Sequence, residues 1–291
     1  MIENVFKGFK WYCLSIMYLH KTLLFIILKR ICEKTEPLNS CKLFNARQRL
    51  TKRSARFNYL SEISLYTVQD SGNIIYFSEK MRGFWLYADG IGKRGIDIFN
   101  SYFISDIHFD LNDIVIDCGA NYGDLYIELH KREPHIQYIS FEPSPREFEC
   151  VKNNVPNQQH HNVALNKVSG TIDLFVSSKG GDSSLIEPVQ GYTQKISINA
   201  VCLDDFAANI SRIKLLKLEA EGLEPEVLEG ATSTLNRIEY IAADGGAERG
   251  IKKESTIEKI TNMLISTGFE LLRLDISSGK GRALFRKKIE T

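Results

Sequence analysis

The sequence predicts an α/β fold in which a doubly wound, mostly parallel sheet is covered by helices on both faces. After residue 110, strand-like and helix-like segments alternate regularly, which is typical of parallel sheets with helical crossovers. The last two strand-like segments, Phe269–Leu274 and Arg282–Arg286, are joined by a short Gly-rich turn and must be antiparallel. The residues before 110 lack this alternation, so we expect an N-terminal extension of helix and β-hairpin.

Three regions are predicted on this basis. Residues 1–56 form a basic, partly apolar helical segment, residues 57–110 a hairpin and helix leading into the core, and residues 111–291 the α/β domain. The first region holds 12 of the 37 Lys and Arg residues but only three of the 36 Asp and Glu residues. Such an asymmetry indicates either a solvated basic arm or contact with an anionic surface.

The apolar stretch 11–32 raises the question of a membrane. His20, Lys21 and Thr22 interrupt it, which disfavours a spanning helix. An interfacial helix, or a helix that packs within the protein, remains open. We therefore predict peripheral contact of residues 1–35 with the inner membrane face, with a true span left open as the less favoured alternative. The six cysteines include no C-x-x-C pair, which favours unpaired thiols in the cytoplasm.

The extension carries local signals of helix and hairpin. Residues 1–35 have a helical pattern that we expect to end at Pro37 and Asn39, and residues 42–56 are helical or irregular. The segments Ile63–Val68 and Ile74–Phe77 predict a hairpin, Gly90–Gly95 a turn, and Ile96–Ile104 an amphipathic helix. We expect Trp11, Trp85 and the hairpin aromatics to lie in the core rather than to form a platform on which a sugar stacks.

The α/β region contains seven further strands and four helices. The predicted strands are Ile114–Ile116, Ile136–Phe141, Asn162–Leu165, Thr171–Val176, Lys195–Val201, Ile213–Leu218 and Ile238–Ala243. The predicted helices are Asp124–Lys131, Pro145–Asn154, Pro225–Ala231 and Thr256–Ser266. Apolar periodicity and glycine or proline at the boundaries support each assignment.

A ligand site is predicted where the first of these strands ends. Ligands of open α/β sheets bind at the carboxyl ends of the strands, and Asp117-Cys-Gly-Ala-Asn-Tyr-Gly123 occupies that place. Gly119 allows close approach of the backbone, and Gly123 eases the turn into the helix. Glu142 ends the second strand, where a carboxylate can accept both hydroxyl hydrogens of a ribose.

Two cofactor classes fit such a site. A dinucleotide site needs a G-x-G-x-x-G fingerprint, but here only Gly119 and Gly123 are present and Asn121 lies between them. S-adenosylmethionine (SAM) has no pyrophosphate, and Asp117 and Asn121 can hold the ammonium of its amino-acid tail. The pattern favours SAM over a nicotinamide dinucleotide.

From about residue 111 to 272, the chain resembles the FkbM family of methyltransferases. The shared signals are Asp117–Gly123, Phe141-Glu-Pro-Ser-Pro, Asn162-Val-Ala-Leu, Ser169-Gly170, Gly181-Asp-Ser-Ser-Leu185, Leu203-Asp-Asp-Phe and Leu215-Leu-Lys-Leu-Glu-Ala-Glu-Gly222. The resemblance implies a Rossmann-like class I methyltransferase sheet, SAM as cofactor, and methylation of hydroxyl groups. It also supports a cofactor contact at Ala164 and an acceptor contact at Ser183. One position departs from the family, because Glu219 stands where its members usually have Asp.

The proton acceptor is sought at the same sheet edge. A hydroxyl acceptor must lose its proton during methyl transfer, and a placed carboxylate assists that loss. Glu221 is our first candidate for this base, followed by Glu219. Asp244 ends the next strand and is a third candidate, and Arg249 is a candidate for gripping an acidic acceptor.

The sequence therefore predicts a SAM-dependent O-methyltransferase acting on a small-molecule or glycan hydroxyl, with a saccharide as the preferred acceptor. A catalytically degenerate binding module is one alternative, and a nicotinamide oxidoreductase is another. Nucleic acid is not expected as a partner, because the basic segment lies outside the catalytic region. We predict no metal site, since no His has suitable spacing, and the oligomeric state is left open.

Overall fold

The computed structural model describes residues 27–177, 184–187, 191–277 and 281–288. In the extension, residues 27–34 are helical (α1). They are followed by α2 (Pro37–Leu50), β1 (Arg56–Leu60), β2 (Leu65–Asp70), β3 (Asn73–Phe77), α3 (Lys80–Leu86), α4 (Ile91–Ser101) and a 3₁₀ turn (Ile104–Asp106).

The α/β region begins with β4 (Ile114–Cys118), α5 (Asp124–Arg132), β5 (Gln137–Phe141), α6 (Pro145–Asn154), β6 (Gln159–His161), β7 (Ala164–Leu165), β8 (Gly170–Ser177) and β9 (Tyr192–Val201). It continues with α7 (Leu203–Phe206), β10 (Ile213–Leu218), α8 (Glu224–Glu229), a 3₁₀ turn (Thr234–Arg237), β11 (Ile238–Asp244), β12 (Ala247–Arg249), β13 (Glu254–Ser255), α9 (Ile257–Ser266), β14 (Phe269–Asp275) and β15 (Arg282–Lys287).

A seven-stranded sheet forms the centre of the α/β region, in the order β14-β15-β11-β10-β4-β5-β6. The five strands from β11 to β6 run parallel, whereas β15 is antiparallel to both of its neighbours. The predicted fold class is thus confirmed, including the antiparallel hairpin at one end of the sheet. The order reverses between β4 and β10, and such a switch point is where open α/β sheets bind ligands.

Strand β10 lies at the centre of the sheet and is buried along its whole length. All six of its residues are buried, as expected for a strand covered on both faces. Four of them are Ile or Leu, and the other two are Lys214 and Lys217. A buried lysine requires a charged partner, so the two lysines mark places where the sheet must hold carboxylates.

The predicted strand Asn162–Leu165 was wrong as a single element. His161 ends β6 in the main sheet, whereas Ala164 and Leu165 form β7, which belongs to a separate three-stranded sheet of order β7-β9-β8. The chain therefore changes sheets between these residues. This switch brings Ala164 beside the carboxyl end of β5.

Two predicted helix boundaries in the extension were also wrong. The helical residues 27–34 do stop before Pro37, as predicted, but Pro37 itself begins α2, where its missing N–H would have had no partner within the helix, so Asn39 does not end a helix. Gly90–Gly95 is not a turn, because α4 starts at Ile91. A Cβ on Gly95 would lie 2.9 Å from Cγ2 of Ile127, so this glycine lets α4 pack closely against α5.

The extension is fastened to the α/β region through an aromatic core. Strands β1, β2 and β3 form an antiparallel sheet, which confirms the predicted hairpin. Its buried Phe57, Tyr66 and Phe77 pack with Phe84 of α3, and Tyr122 of the α/β region joins the same cluster. The extension therefore shares its core with the α/β region.

Three further predictions can be compared with this structure. Trp85 is 67% exposed, so its expected burial in the core was wrong; Trp11 lies outside the described residues.

The five described cysteines are unpaired, as predicted. In the described ranges no helix is both long and apolar enough to cross a bilayer. Most of the segment expected to touch a membrane, residues 1–26, also lies outside the described residues.

Candidate active site

A cavity of about 390 Å³ opens at the carboxyl ends of β4, β5 and β10. Its wall joins these strand ends to helices α3 and α4 of the extension. Seven residues singled out from the sequence line it, namely Asp117, Gly119, Asn121, Glu142, Ala164, Glu219 and Glu221. Sequence positions more than 100 residues apart are thus brought to one site.

The loop after β4 has a shape that only particular residues allow. Gly119 has φ +75°, and a Cβ there would lie 2.0 Å from the carbonyl oxygen of Glu219. Asn121 also has a positive φ, which Asn tolerates better than most residues. Its Oδ1 is buried and makes no hydrogen bond within the described residues. The loop therefore presents an acceptor atom that suits a donor group of a ligand.

Glu142 is held at the opposite side of this loop by two backbone donors. The N–H of Asn121 donates to Oε2 at 2.7 Å, and the N–H of Ser144 donates to Oε1 at 2.9 Å. Burial, followed by the negative charge of Glu147, raises the pKa of Glu142 to about 7, and the two backbone donors oppose this rise. The carboxyl group consequently titrates close to neutral pH.

This pKa gives SAM binding an expected pH dependence. If the ionised form accepts the ribose hydroxyls, affinity for SAM should rise roughly tenfold between pH 6 and pH 8, as measured by calorimetry.

The free energy of unfolding should have the opposite pH dependence and fall as the pH rises. The pKa of Glu142 is higher in the folded chain than the usual 4.5. The stability from protonated Glu142 is therefore complete below about pH 4.5 and lost as pH rises through about 7. Glu142→Gln should remove both trends; an unchanged pH dependence in that variant would contradict the assignment.

Lys217 lies at the floor of the cavity and joins its two walls. The ammonium is 3.1 Å from Oδ1 of Asp117 and 2.9 Å from Oε2 of Glu219. It also donates to the carbonyl oxygens of Cys118 and Gly119 at 3.2 and 2.8 Å. Although burial disfavours the charged form, the two carboxylates raise the pKa of Lys217. Lys217 is therefore a fixed cation that fastens the cofactor loop to β10.

Glu219 is correspondingly fixed as an anion. Burial would raise its pKa, but the charge of Lys217 and then that of Arg282 outweigh burial and lower the pKa to about 2. Arg282 comes from β15, where its guanidinium lies 4.4 Å from the ring centre of Tyr102 and its Nε donates to Asp244 at 2.7 Å. Because a carboxylate with so low a pKa is a weak proton acceptor, this arrangement favours Glu221 over Glu219 as the base.

Glu221 follows in a strained loop at the same edge. Its φ is +49°, and strained conformations of this kind cluster at functional sites. Gly222 then adopts φ +94°, where a Cβ would lie 2.6 Å from Cα of Arg249. This packing fixes the direction in which the chain leaves the cavity.

The remaining predicted residues lie elsewhere. Asp244 stands behind Arg282, and Gly123 shapes the loop without lining the cavity. Arg249 is engaged by both carboxylate oxygens of Glu226, at 2.9 and 2.6 Å, and by the Gly222 carbonyl. Its role toward an acceptor stays a prediction, as does that of Asp244. Ser183 is outside the described residues.

Sequence reasoning missed four cavity residues that carry a positive charge. These are Arg82, Arg94, Lys217 and Arg282. A signal for Lys217 was present, since a lysine inside an otherwise Ile- and Leu-rich strand needs a buried partner. For the arginines no such signal exists, because their place depends on how the extension and β15 pack against the sheet.

The sheet order and the cavity at its switch point are those expected from the sequence for a SAM-binding site, and the family comparison identifies the protein as a SAM-dependent methyltransferase. Residues 117–271 match the model of the methyltransferase FkbM domain. The chain therefore belongs to the FkbM methyltransferase family.

Three curated relatives are similar over much of their length. Methyltransferase 1 of Beauveria bassiana is 24% identical over 178 residues, covering 50% of this chain and 72% of the relative. The 2-O-methyltransferase NoeI of Sinorhizobium fredii is 24% identical over 235 residues, covering 74% of this chain and 95% of the relative. Methyltransferase sdnD of Sordaria araneosa is 22% identical over 215 residues, covering 61% and 81%.

Proposed function

We propose that this methyltransferase acts on a hydroxyl group of a saccharide. The observation that carries the reaction type is that the Glu221 carboxylate lines the same cavity as Asp117 and Glu142. A proton acceptor and the residues expected to hold the cofactor thus share one enclosure. The relative NoeI, named as a 2-O-methyltransferase, supports oxygen as the acceptor atom.

The residues present fit SAM. The orphaned Oδ1 of Asn121 and the carboxylate of Asp117 suit the ammonium of the amino-acid tail, and Glu142 suits the ribose hydroxyls. Gly119 keeps the loop free of a side chain where the backbone passes close to Glu219. Ala164 adds a small apolar contact beside Glu142, which leaves room for a flat ring.

Each residue has a distinct part in the proposed reaction. When bound, SAM supplies a methyl carbon that gains a bond to the acceptor oxygen as its bond to the sulfonium sulfur breaks, with the electron pair left on sulfur. Glu221 receives the hydroxyl proton. Lys217 holds Glu219 in its ionised form, so the Glu219 carboxylate supplies a constant negative charge at the cavity wall. The residues of the cavity wall speed the reaction by holding SAM and the acceptor hydroxyl next to each other.

A saccharide acceptor is supported by the wall that the extension contributes. Trp85 lines the cavity although 67% of the residue is exposed, so an aromatic residue stands where the cavity meets solvent. Aromatic rings present a large apolar face with a polar edge, which suits the mixed surface of a sugar ring. Polar and charged residues that line the same cavity are available to the remaining hydroxyls.

This proposal is tested by titrating the protein with SAM and with NADH, followed by methyl transfer to a panel of saccharides. We expect binding of SAM, O-methylated product, and an acceptor KM that rises about tenfold in Trp85→Ala, with SAM affinity unchanged. Leu86→Ala, a neighbouring lining residue without a ring, provides the comparison.

Each contrary outcome points to a different alternative. Binding of NADH in place of SAM would favour an oxidoreductase. SAM binding with no turnover on any acceptor would favour a binding module, and an unchanged KM in Trp85→Ala would remove the argument for a saccharide.

A further inference from the structure

If SAM binds in this cavity, the carboxylate of its amino-acid tail needs a partner there. The amino-acid tail of SAM carries a carboxylate as well as an ammonium. A carboxylate removed from water needs a cation or several hydrogen-bond donors. Four cationic residues line the cavity, and three of them, Lys217, Arg282 and Arg94, differ in the partners that already engage them.

Lys217 is fully engaged, as described above, by two carboxylates and two carbonyl oxygens. It is also the one cation of the cavity wall that lies in residues 117–271, the segment matching the family model, as far as the described residues extend. A further cation for the tail therefore has to come from outside that segment.

Arg282 is held on several sides. Its Nε donates to Asp244, one terminal nitrogen donates to Ser101, and its face lies against the ring of Tyr102. It also stands close enough to Glu219 to lower the pKa of that carboxyl group. Arg282 thus already balances the carboxylates near β10 and β11.

Arg94 of α4 is placed differently. Its Nε donates to Oδ2 of Asp124 at 2.7 Å, and the hydroxyl of Tyr87 binds the other oxygen of that carboxylate. In the part of the chain that the structure describes, neither terminal nitrogen of Arg94 makes a hydrogen bond, and the side chain is 20% exposed at the cavity wall. Asp124 directly follows the Gly119–Gly123 loop. The guanidinium is therefore anchored at one end, beside the loop expected to hold the tail.

We propose that Arg94 binds the carboxylate of the SAM methionyl tail, with the positive charge of Arg82 beside it, so that the N-terminal extension completes the cofactor site. This rests on the proposed use of the cavity for SAM. A planar guanidinium fixed through Nε can present two parallel donors to a carboxylate, a geometry that lysine lacks. Arg82 lines the same wall and strengthens the local field.

The test compares two ligands that differ in the tail. S-adenosylhomocysteine has the carboxylate, whereas 5′-deoxy-5′-methylthioadenosine shares the adenosine and thioether but lacks the tail. By calorimetry, Arg94→Gln should weaken binding of S-adenosylhomocysteine by about 10- to 100-fold and leave that of methylthioadenosine unchanged.

Two further variants serve as controls. The double variant Arg94→Gln/Asp124→Asn avoids leaving the buried Asp124 carboxylate without its cation, and it should show the same selective loss. Lys93→Gln removes the neighbouring charge on α4, which pairs with Asp97 outside the cavity, and should bind both ligands as the parent does.

The outcomes separate the inference from the proposed function. Equal weakening of both ligands, or full S-adenosylhomocysteine affinity in the folded double variant, would overturn the role of Arg94 while SAM binding by the parent protein stands. If the parent binds neither SAM nor S-adenosylhomocysteine, the proposed function fails and takes this inference with it.

Discussion

Replacing Lys217 with Met is expected to destabilise the protein by about 3–5 kcal/mol, measured by urea denaturation at pH 7. The substitution keeps an unbranched side chain, one atom shorter, but leaves Asp117 and Glu219 buried without their shared cation. It also removes the donor to the Gly119 carbonyl, so the cofactor loop loses its tie to β10. We expect SAM affinity to fall by at least about tenfold in whatever protein remains folded.

Lys214→Met provides a matched control on the same strand. Lys214 is as buried as Lys217, but it lies at the other end of β10 and contacts Glu239 at 2.9 Å. Arg212 also contacts that carboxylate, so a cation remains when Lys214 is removed. A smaller loss of stability and an unchanged SAM affinity are expected. If Lys214→Met and Lys217→Met lower SAM affinity equally, the lower affinity comes from general destabilisation of the sheet and not from the contacts of Lys217.

Glu221→Gln is expected to lower kcat by about 10²- to 10⁴-fold while leaving the SAM dissociation constant unchanged. The amide has nearly the shape of the carboxylate, yet it cannot accept the hydroxyl proton. The pH–rate profile should also lose the limb that reports titration of the base. Steady-state kinetics over a range of pH, with SAM affinity measured separately, would test both statements.

Glu219→Gln is the companion variant, two residues away in the same loop. Because the pKa of Glu219 is about 2, this carboxylate is already ionised and does not titrate near neutral pH. The acidic limb of the profile should therefore persist in Glu219→Gln, even if loss of the contact with Lys217 slows the reaction. Loss of the limb in Glu219→Gln with normal kcat in Glu221→Gln would reverse the two roles.

Much of the α/β region follows from local patterns. Strand Ile213–Leu218 and helix Pro145–Asn154 have the predicted boundaries, since a continuous apolar run and a proline at the first helical position are strong local signals. The positions Asp117, Gly119 and Glu142 were placed at one sheet edge by the same reasoning. Their assignment to SAM as individual contacts stays a prediction.

The parts that could not be predicted depend on packing between distant segments. Glycine is typical of turns, so a turn was predicted at Gly95. In the structure Gly95 instead lets α4 pack closely against α5, and only the position of α5 explains this. Trp85 is exposed because α3 places it at the cavity wall, and nothing in its neighbouring residues indicates this. Arg94 and Arg282 reach the cavity from opposite ends of the chain, so neither could be linked to the site by spacing.

The pairing of β4 with β10 has a consequence for the order of folding. Gly119 and Lys217 are 98 residues apart, so their contact closes a long loop, and contacts of this kind form slowly. Before β10 docks, Asp117 has the Tyr138 hydroxyl of β5 as a hydrogen-bond donor but lacks Lys217, its buried counter-charge in the described residues. We therefore expect full burial of the Asp117 charge and closure of the loop to coincide in one late step. A kinetic intermediate that lacks this step has no cofactor site, and ligand present during refolding can act only after the sheet is complete.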